Sequence, residues 1–260
     1  MILYKYLPPD RLQLLKNNSF RFTQPNKCND PLECMPRTIL VKNIEEAKKH
    51  FAIMECQARI SGCQFPPGAE EQWIDSVIPN VQHSPNDLQL QQEIQDLNSK
   101  TLGILCLAEK PDKFLMWSHY GKCHTGFAVG IDSEHEWFKD LAPNAVFGNV
   151  RKVVYSAKRP EIPSQGEIDF SFLYHKGTDW AYEDEYRFIL PLRPYCRETN
   201  PDSGIFVRQF PRDLIKSVVF GYRMDPELET DIRATLSNLD VDFLRAEPSS
   251  VTYDMELTPV

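Results

Sequence analysis

WAYEDEYRF, residues 180–188, sets two glutamates and an arginine at alternate positions with aromatic residues between them. On an extended strand successive side chains point to opposite faces. The alternation predicts a strand carrying Glu183, Glu185 and Arg187 on one face and Tyr182, Asp184, Tyr186 and Phe188 on the other. Residues two apart on such a strand lie roughly 6.5–7 Å from each other. That separation suits two carboxylates with separate tasks, or a salt-bridge ladder. Periodicity alone favours the ladder on a surface.

Outward from this stretch the second half of the chain is strand-like. TLGILCLAE, GFAVGID, VRKVVYS, YRFILPL, GIFVRQF and SVVFGY are short apolar runs bounded by Gly, Pro, Asn or Asp. VDFLRAEP and TYDMELTPV read as closing strands, and DPELETDIRATLSNL as a helix capped by Asp225. The first residues, ILYKY, form a strand, PPDRLQLLKNN a short helix start, FRF a strand and NKCNDPLE a rigid turn. Strands without a regular βαβ alternation predict an α+β fold with a mixed or mainly antiparallel, split β-sheet core. Residues 36–100 differ. Apolar residues at Val41, Ile44, Ala47, Phe51, Met54 and Ala58 have helical spacing, and PPGAEEQWIDSVI and NDLQLQQEIQDLNSK add helical pieces, the last capped by Asn86 and Asp87. The expectation is one domain over 1–260 with 36–100 as a mostly helical insertion.

Composition bounds the function classes. Hydrophobic residues make up 42% and charged residues 25% of 260 residues, ordinary for a soluble globular chain. No apolar run approaches the roughly 18 residues a membrane span needs. The N-terminus MILYKYLPPD lacks the basic region and long apolar core of a signal peptide, so a cytoplasmic protein with no membrane partner is expected. The formal charge of −8 disfavours nonspecific nucleic-acid binding. Seven scattered cysteines form no CxxC framework and read as free thiols, and no metal is expected.

The segment CLAEKPDKFLMWSHYGKCHTGFAVGID is dense in functional side chains. MWSHY predicts a short helical or turn element ended by Gly121 in a left-handed cap. Ser118, His119, Tyr120, Cys123 and His124 are expected near the surface between two apolar blocks. Adjacent Ser and His do not make a triad, because neighbouring side chains on a helix diverge. No Rossmann fingerprint or P-loop is present.

Together these blocks resemble a widespread bacterial family, domain-of-unknown-function family 2971. The resemblance rests on LYKY, FRFTQPNKCNDPLE, ILCLAE, LMWSHYGKCHTGFAVGID, VVYS, WAYEDEYRF and IKSVVFG in that order, and excludes roughly residues 36–100. The layout is also similar to the ADP-ribosyltransferase fold, a split β-structure holding NAD in a cleft. That likeness implies a first signature strand at LYKY, with Lys5 and Tyr6 where the fold usually has His or Arg. The middle strand is FRFT or ILCLAE, and the late strand WAYEDEYRF. It implies Glu185 as the catalytic carboxylate at the nicotinamide ribose, Glu183 as the catalytic carboxylate on the acceptor side, and Arg187 as structural or phosphate-binding. Lys5, Tyr6, Trp117, Ser118, His119, Tyr120 and Arg187 are the ligand-binding candidates.

The leading expectation is an enzyme on a nucleotide-like ligand, most concretely NAD-dependent ADP-ribosyl transfer or NAD hydrolysis, with NAD as substrate. The alternative is a non-catalytic module of a bacterial phage-defence or toxin-related system, binding a nucleotide or protein, with residues 42–100 as partner surface. A third reading is a phosphodiesterase or nuclease using His119 and His124 with Glu183.

Overall fold

The computed structural model describes residues 1–39, 44–45, 47–49, 51–52, 55, 64–77, 88–139, 147–163, 169–200 and 202–260. In chain order the strands are β1 (Ile2–Leu7), β2 (Ser19–Phe22), β3 (Arg37–Ile39), β4 (Leu102–Ala108), β5 (Phe127–Asp132), β6 (Val150–Lys152), β7 (Val154–Ser156) and β8 (Glu161–Pro163). They continue with β9 (His175–Gly177), β10 (Glu185–Pro191), β11 (Arg197–Glu198), β12 (Phe206–Gln209), β13 (Ile215–Phe220), β14 (Asp242–Pro248) and β15 (Met255–Pro259). Eight of them form one sheet in the order β15-β14-β13-β5-β1-β4-β10-β6. Within this sheet β13 and β14 pair in parallel and the other neighbours are antiparallel. With the helices this makes the fold α+β.

The sheet parts in its middle. β1 pairs with β5 along its whole length, from Ile2↔Asp132 to Leu7↔Phe127, and β4 pairs with β10 over seven positions. Between β1 and β4 a single pair, Tyr4↔Ala108, holds the two halves together. Beyond it the strands diverge, and the Lys5 ammonium spans the gap to the Cys106 carbonyl at 3.0 Å. β2 joins the β4 side through the Thr23↔Ile104 bridge and carries β12 and β11 as its own small sheet.

Both faces of the central strands are covered, which explains their near-continuous apolar runs. Along β5, Phe127, Val129 and Ile131 pack into the main core with Leu3, Phe20, Phe22, Phe188 and Phe220. Ala128 faces the other way, into a cluster with Tyr6, Trp117 and Val219. Each such side chain taken fully from water contributes on the order of 1.5–3 kcal/mol.

The helices include Leu12–Lys16, Ala69–Val77, Leu88–Thr101, Phe114–His119 and Pro226–Thr235. The last starts as its sequence predicts, with the Asp225 carboxylate accepting from the Glu227 amide at 2.8 Å. The helix expected from Val41 onward falls largely outside the described residues, as do Asn86 and Asp87. Within the 36–100 region, helix Leu88–Thr101 is tied to the body. Gln95 donates to the Glu33 carbonyl at 2.7 Å, and Ser99 accepts from the Asn26 amide at 2.9 Å. No helix among the described residues is long and apolar enough to cross a membrane.

Local readings change in three places. VRKVVYS is not one strand: it divides into β6 on the main sheet and β7 paired with β9. WAYEDEYRF is a strand only from Glu185; Thr178–Glu183 is a 3-10 helix, and Asp184 takes a left-handed conformation at φ 43° before β10 begins. Gly121 is not the left-handed cap. The positive φ values fall on Lys122, Cys123 and His124, at 48°, 53° and 68°. That run is held by bonds from the Cys123 and His124 amides to the Ser118 and Trp117 carbonyls, and by the Arg223 amide on the His124 carbonyl. Gly121 is needed for another reason: a Cβ there would lie 2.8 Å from the Trp117 ring and carbonyl.

Candidate functional site

The wedge between β1 and β4 opens into a pocket of about 550 Å³. β1 contributes Tyr4, Lys5 and Tyr6, and β4 contributes Cys106, Leu107 and Ala108. β2 and the turn after it add Arg21, Thr23, Lys27, Cys28 and Asn29. Both segments weighed as the middle signature strand, FRFT and ILCLAE, therefore line it. The volume lies within the range typical of small-molecule sites.

One end of this pocket is a buried ionic cluster. Register places Glu185 opposite Ala108 and Arg187 opposite Cys106, on one face of β10. Arg187 is fully buried and grips Glu185 with two bonds, Nε to Oε1 at 2.9 Å and Nη2 to Oε2 at 3.0 Å. Its Nη1 reaches Glu33 Oε1 at 2.8 Å and the Leu173 carbonyl at 2.5 Å. Lys176, from β9, stands between the two motif glutamates: its Nζ is 2.6 Å from Glu183 Oε2 and 3.3 Å from Glu185 Oε2. Glu33 Oε2 is 3.8 Å from the same ammonium, and Lys176 also lies over the Trp180 ring at 4.8 Å. The left-handed turn at Asp184 makes this possible, since it swings Glu183 around to the same cation that Glu185 meets from the strand.

Three nearly buried carboxylates thus face two cations at the pocket's end. Burial would raise Glu185, but Arg187 and Lys176 outweigh it and hold the carboxyl at about 2. Glu33 and Glu183 are raised, each chiefly by burial against the pull of the cations. Burial would lower Lys176, but Glu185, Glu33 and Glu183 raise it instead, so it stays charged. Beside the cluster, burial pushes the Cys28 thiol up to about 12 and Cys106 well above its ordinary value, which disfavours their thiolates.

MWSHY and WAYEDEYRF meet here. The Tyr120 hydroxyl donates to Glu183 Oε1 at 2.5 Å and accepts from the Asn29 amide nitrogen at 2.7 Å. Next to it His119 Nδ1 and the Tyr182 hydroxyl are 2.9 Å apart on the exposed side. Among the candidates from sequence, Lys5, Tyr6, Tyr120, Glu183 and Glu185 line the pocket. Four do not. Trp117 is fully buried, its indole N–H donating to the Pro111 carbonyl at 2.8 Å and its ring edge-on to Tyr6. Arg187 lies behind Glu185 and positions it. Ser118 meets His124 Nε2 at 3.3 Å, and His119 is exposed. His124 is buried rather than superficial, and burial, then the nearby Arg223, lowers its pKa. Tyr6 is partly spent on structure, its hydroxyl donating to the Lys110 carbonyl at 3.0 Å.

Sequence reasoning did not single out Lys176 or Glu33. Glu33 sits in NKCNDPLE, where the Asp-Pro turn was the visible signal; Asp30 accepts from the Leu32 amide at 2.9 Å and fixes that turn. Lys176 lies in LYHKG, which carries no periodicity to mark it. Among the described residues, no group of three or more His, Cys, Asp or Glu is arranged to hold a metal ion.

No curated protein and no solved structure shows significant similarity to the chain, so the likeness to ADP-ribosyltransferases gains no support from them. A family model described as protein of unknown function (DUF2971) matches residues 116–188. That span carries Tyr120, Lys176, Glu183, Glu185 and Arg187 of the cluster but not Glu33. Over residues 116–188, where motif and geometry agree, the chain is similar to the DUF2971 family.

Proposed function

We propose that the chain is an enzyme acting on a nucleotide-like ligand, most concretely one that cleaves the nicotinamide–ribose bond of NAD to transfer ADP-ribose or hydrolyse it. The observation that carries this reading is the pocket in the sheet's split, ending at Glu183 and Glu185 on either side of Lys176. In the reaction the C1′–N bond breaks and its electron pair leaves with nicotinamide. Glu185, held ionised by Arg187 and Lys176, stabilises the oxocarbenium-like ribose. Water or an acceptor hydroxyl or amine forms the new bond at C1′, and its proton passes to Glu183. Tyr120 and Lys176 orient that carboxylate.

Incubation with NAD and chromatography of the products tests the reading. Wild type is expected to release nicotinamide, and Glu183→Gln to lose that activity while folding normally. The amide removes one of three carboxylates facing two cations, so it relieves charge rather than stranding it. Retained turnover in Glu183→Gln, or no turnover in wild type, would overturn the reading. A second reading, a non-catalytic binding module, is favoured by the engagement of both Glu185 oxygens by Arg187 and Lys176. It predicts saturable ligand binding with no product.

A further inference from the structure

The same pocket carries charge that the ionic cluster does not use. Lys176 is neutralised by the glutamates around it, but Lys5, Arg21 and Lys27 also line the pocket, and none has a carboxylate partner among the described residues. The Lys5 ammonium has only the Cys106 carbonyl. Arg21 Nε is buried without a hydrogen-bond acceptor, on a strand whose register sets it opposite Val207. Lys27 closes the 3-10 turn Pro25–Lys27 that follows β2 and is exposed at the pocket's edge. The hydroxyl-bearing Thr23 lines the wall between them in sequence.

Three cations without carboxylate partners among the described residues line one concavity. They are more notable in a chain of net charge −8, where carboxylates are plentiful elsewhere on the surface. Such clustering focuses potential and concentrates anions. A guanidinium with a free buried N–H, in a pocket also lined by two lysines, matches phosphate oxygens better than a single carboxylate. It offers directed donors to a group that can accept from several sides.

We propose that Lys5, Arg21 and Lys27 form a phosphate-binding wall that seats the phosphoryl groups of the pocket's ligand. The placement of that ligand's ribose at Glu183 and Glu185 rests on the function proposed above; the phosphate wall does not. The ligand class is then a phosphorylated sugar or nucleotide whose phosphates lie along β1 and β2, on the opposite charge regime from the glutamates.

Calorimetry and thermal shift on the full chain, with ADP-ribose, pyrophosphate, inorganic phosphate, adenosine and citrate as probes, test this. ADP-ribose is expected to bind and raise the melting temperature, and adenosine is not. Arg21→Gln and Lys27→Gln are each expected to weaken ADP-ribose about tenfold, the scale of losing one charge-assisted hydrogen bond. Lys27 is exposed, so its variant tests the wall without risk to folding. Binding of pyrophosphate or phosphate but not ADP-ribose keeps the wall and assigns it to free phosphate. The proposal is overturned if no phosphate-bearing probe binds, if citrate or adenosine binds as well as ADP-ribose, or if both cation variants bind like wild type. Glu183→Gln separates the two readings, since it should bind ADP-ribose while losing turnover. Phosphate binding by a wild type that never releases nicotinamide sinks the proposed activity and leaves the wall standing.

Discussion

Replacing Lys176 by methionine removes the ammonium that Glu33, Glu183 and Glu185 share while keeping an unbranched stem of similar length. The variant leaves three buried carboxylates facing Arg187 alone. Breaking a buried ion pair from one side costs about 3–5 kcal/mol, and the lost contact over Trp180 adds about 0.5–2 kcal/mol. A domain's whole stability is only about 5–15 kcal/mol, so the variant is expected near the edge of unfolding at neutral pH. The loss should depend on pH. Glu33 and Glu183 already have folded pKa values above the ordinary 4.5, with burial as the main cause, and removing Lys176 raises them further. Between 4.5 and those folded values the native state binds more protons than the unfolded chain, so stability falls as pH rises. Urea unfolding followed by tryptophan fluorescence should therefore show a large loss at pH 8 and a much smaller one at pH 5. A loss below about 1 kcal/mol at pH 8, or an equal loss at both pH values, would refute the shared-cation account of the cluster.

Further expectations follow from the same geometry. Glu185 sits at about 2, below its ordinary 4.5, so its contribution to stability is present above 4.5 and is lost as pH falls toward 2; acid unfolding by circular dichroism should show this, and Glu185→Gln should flatten it. Tyr120→Phe removes the 2.5 Å donation to Glu183 and should cost about 1–3 kcal/mol by chemical denaturation. Gly121→Ala forces a Cβ to 2.8 Å from Trp117 and should cost about 1–3 kcal/mol, read as a lowered urea midpoint. Asp225→Ala should cost about 1 kcal/mol, since it frees the Glu227 amide at a helix start and touches nothing in the pocket.

The α+β class, the strand runs and the helix at Asp225 were legible because they rest on local chemistry: apolar periodicity, turn residues and capping side chains act within a few positions of one another. The recurrence of MWSHY with WAYEDEYRF raised the question of whether the two segments meet, and the Tyr120–Glu183 hydrogen bond answers it only in the fold. Spacing alone misread WAYEDEYRF, because alternation presumes extended backbone, and the left-handed turn at Asp184 supplies the same convergence from a 3-10 helix instead. Trp117 and His119 looked alike in MWSHY, yet one packs edge-on against Tyr6 and the other faces outward, because positions two apart on a helix point about 200° apart. Only tertiary structure joined Glu33 and Lys176 to the motif glutamates, and Glu33 lies far from them in sequence. The physical reason is that burial makes charges seek partners wherever the fold brings them, and the split between β1 and β4 that creates the pocket is a property of strand pairing that no single segment carries.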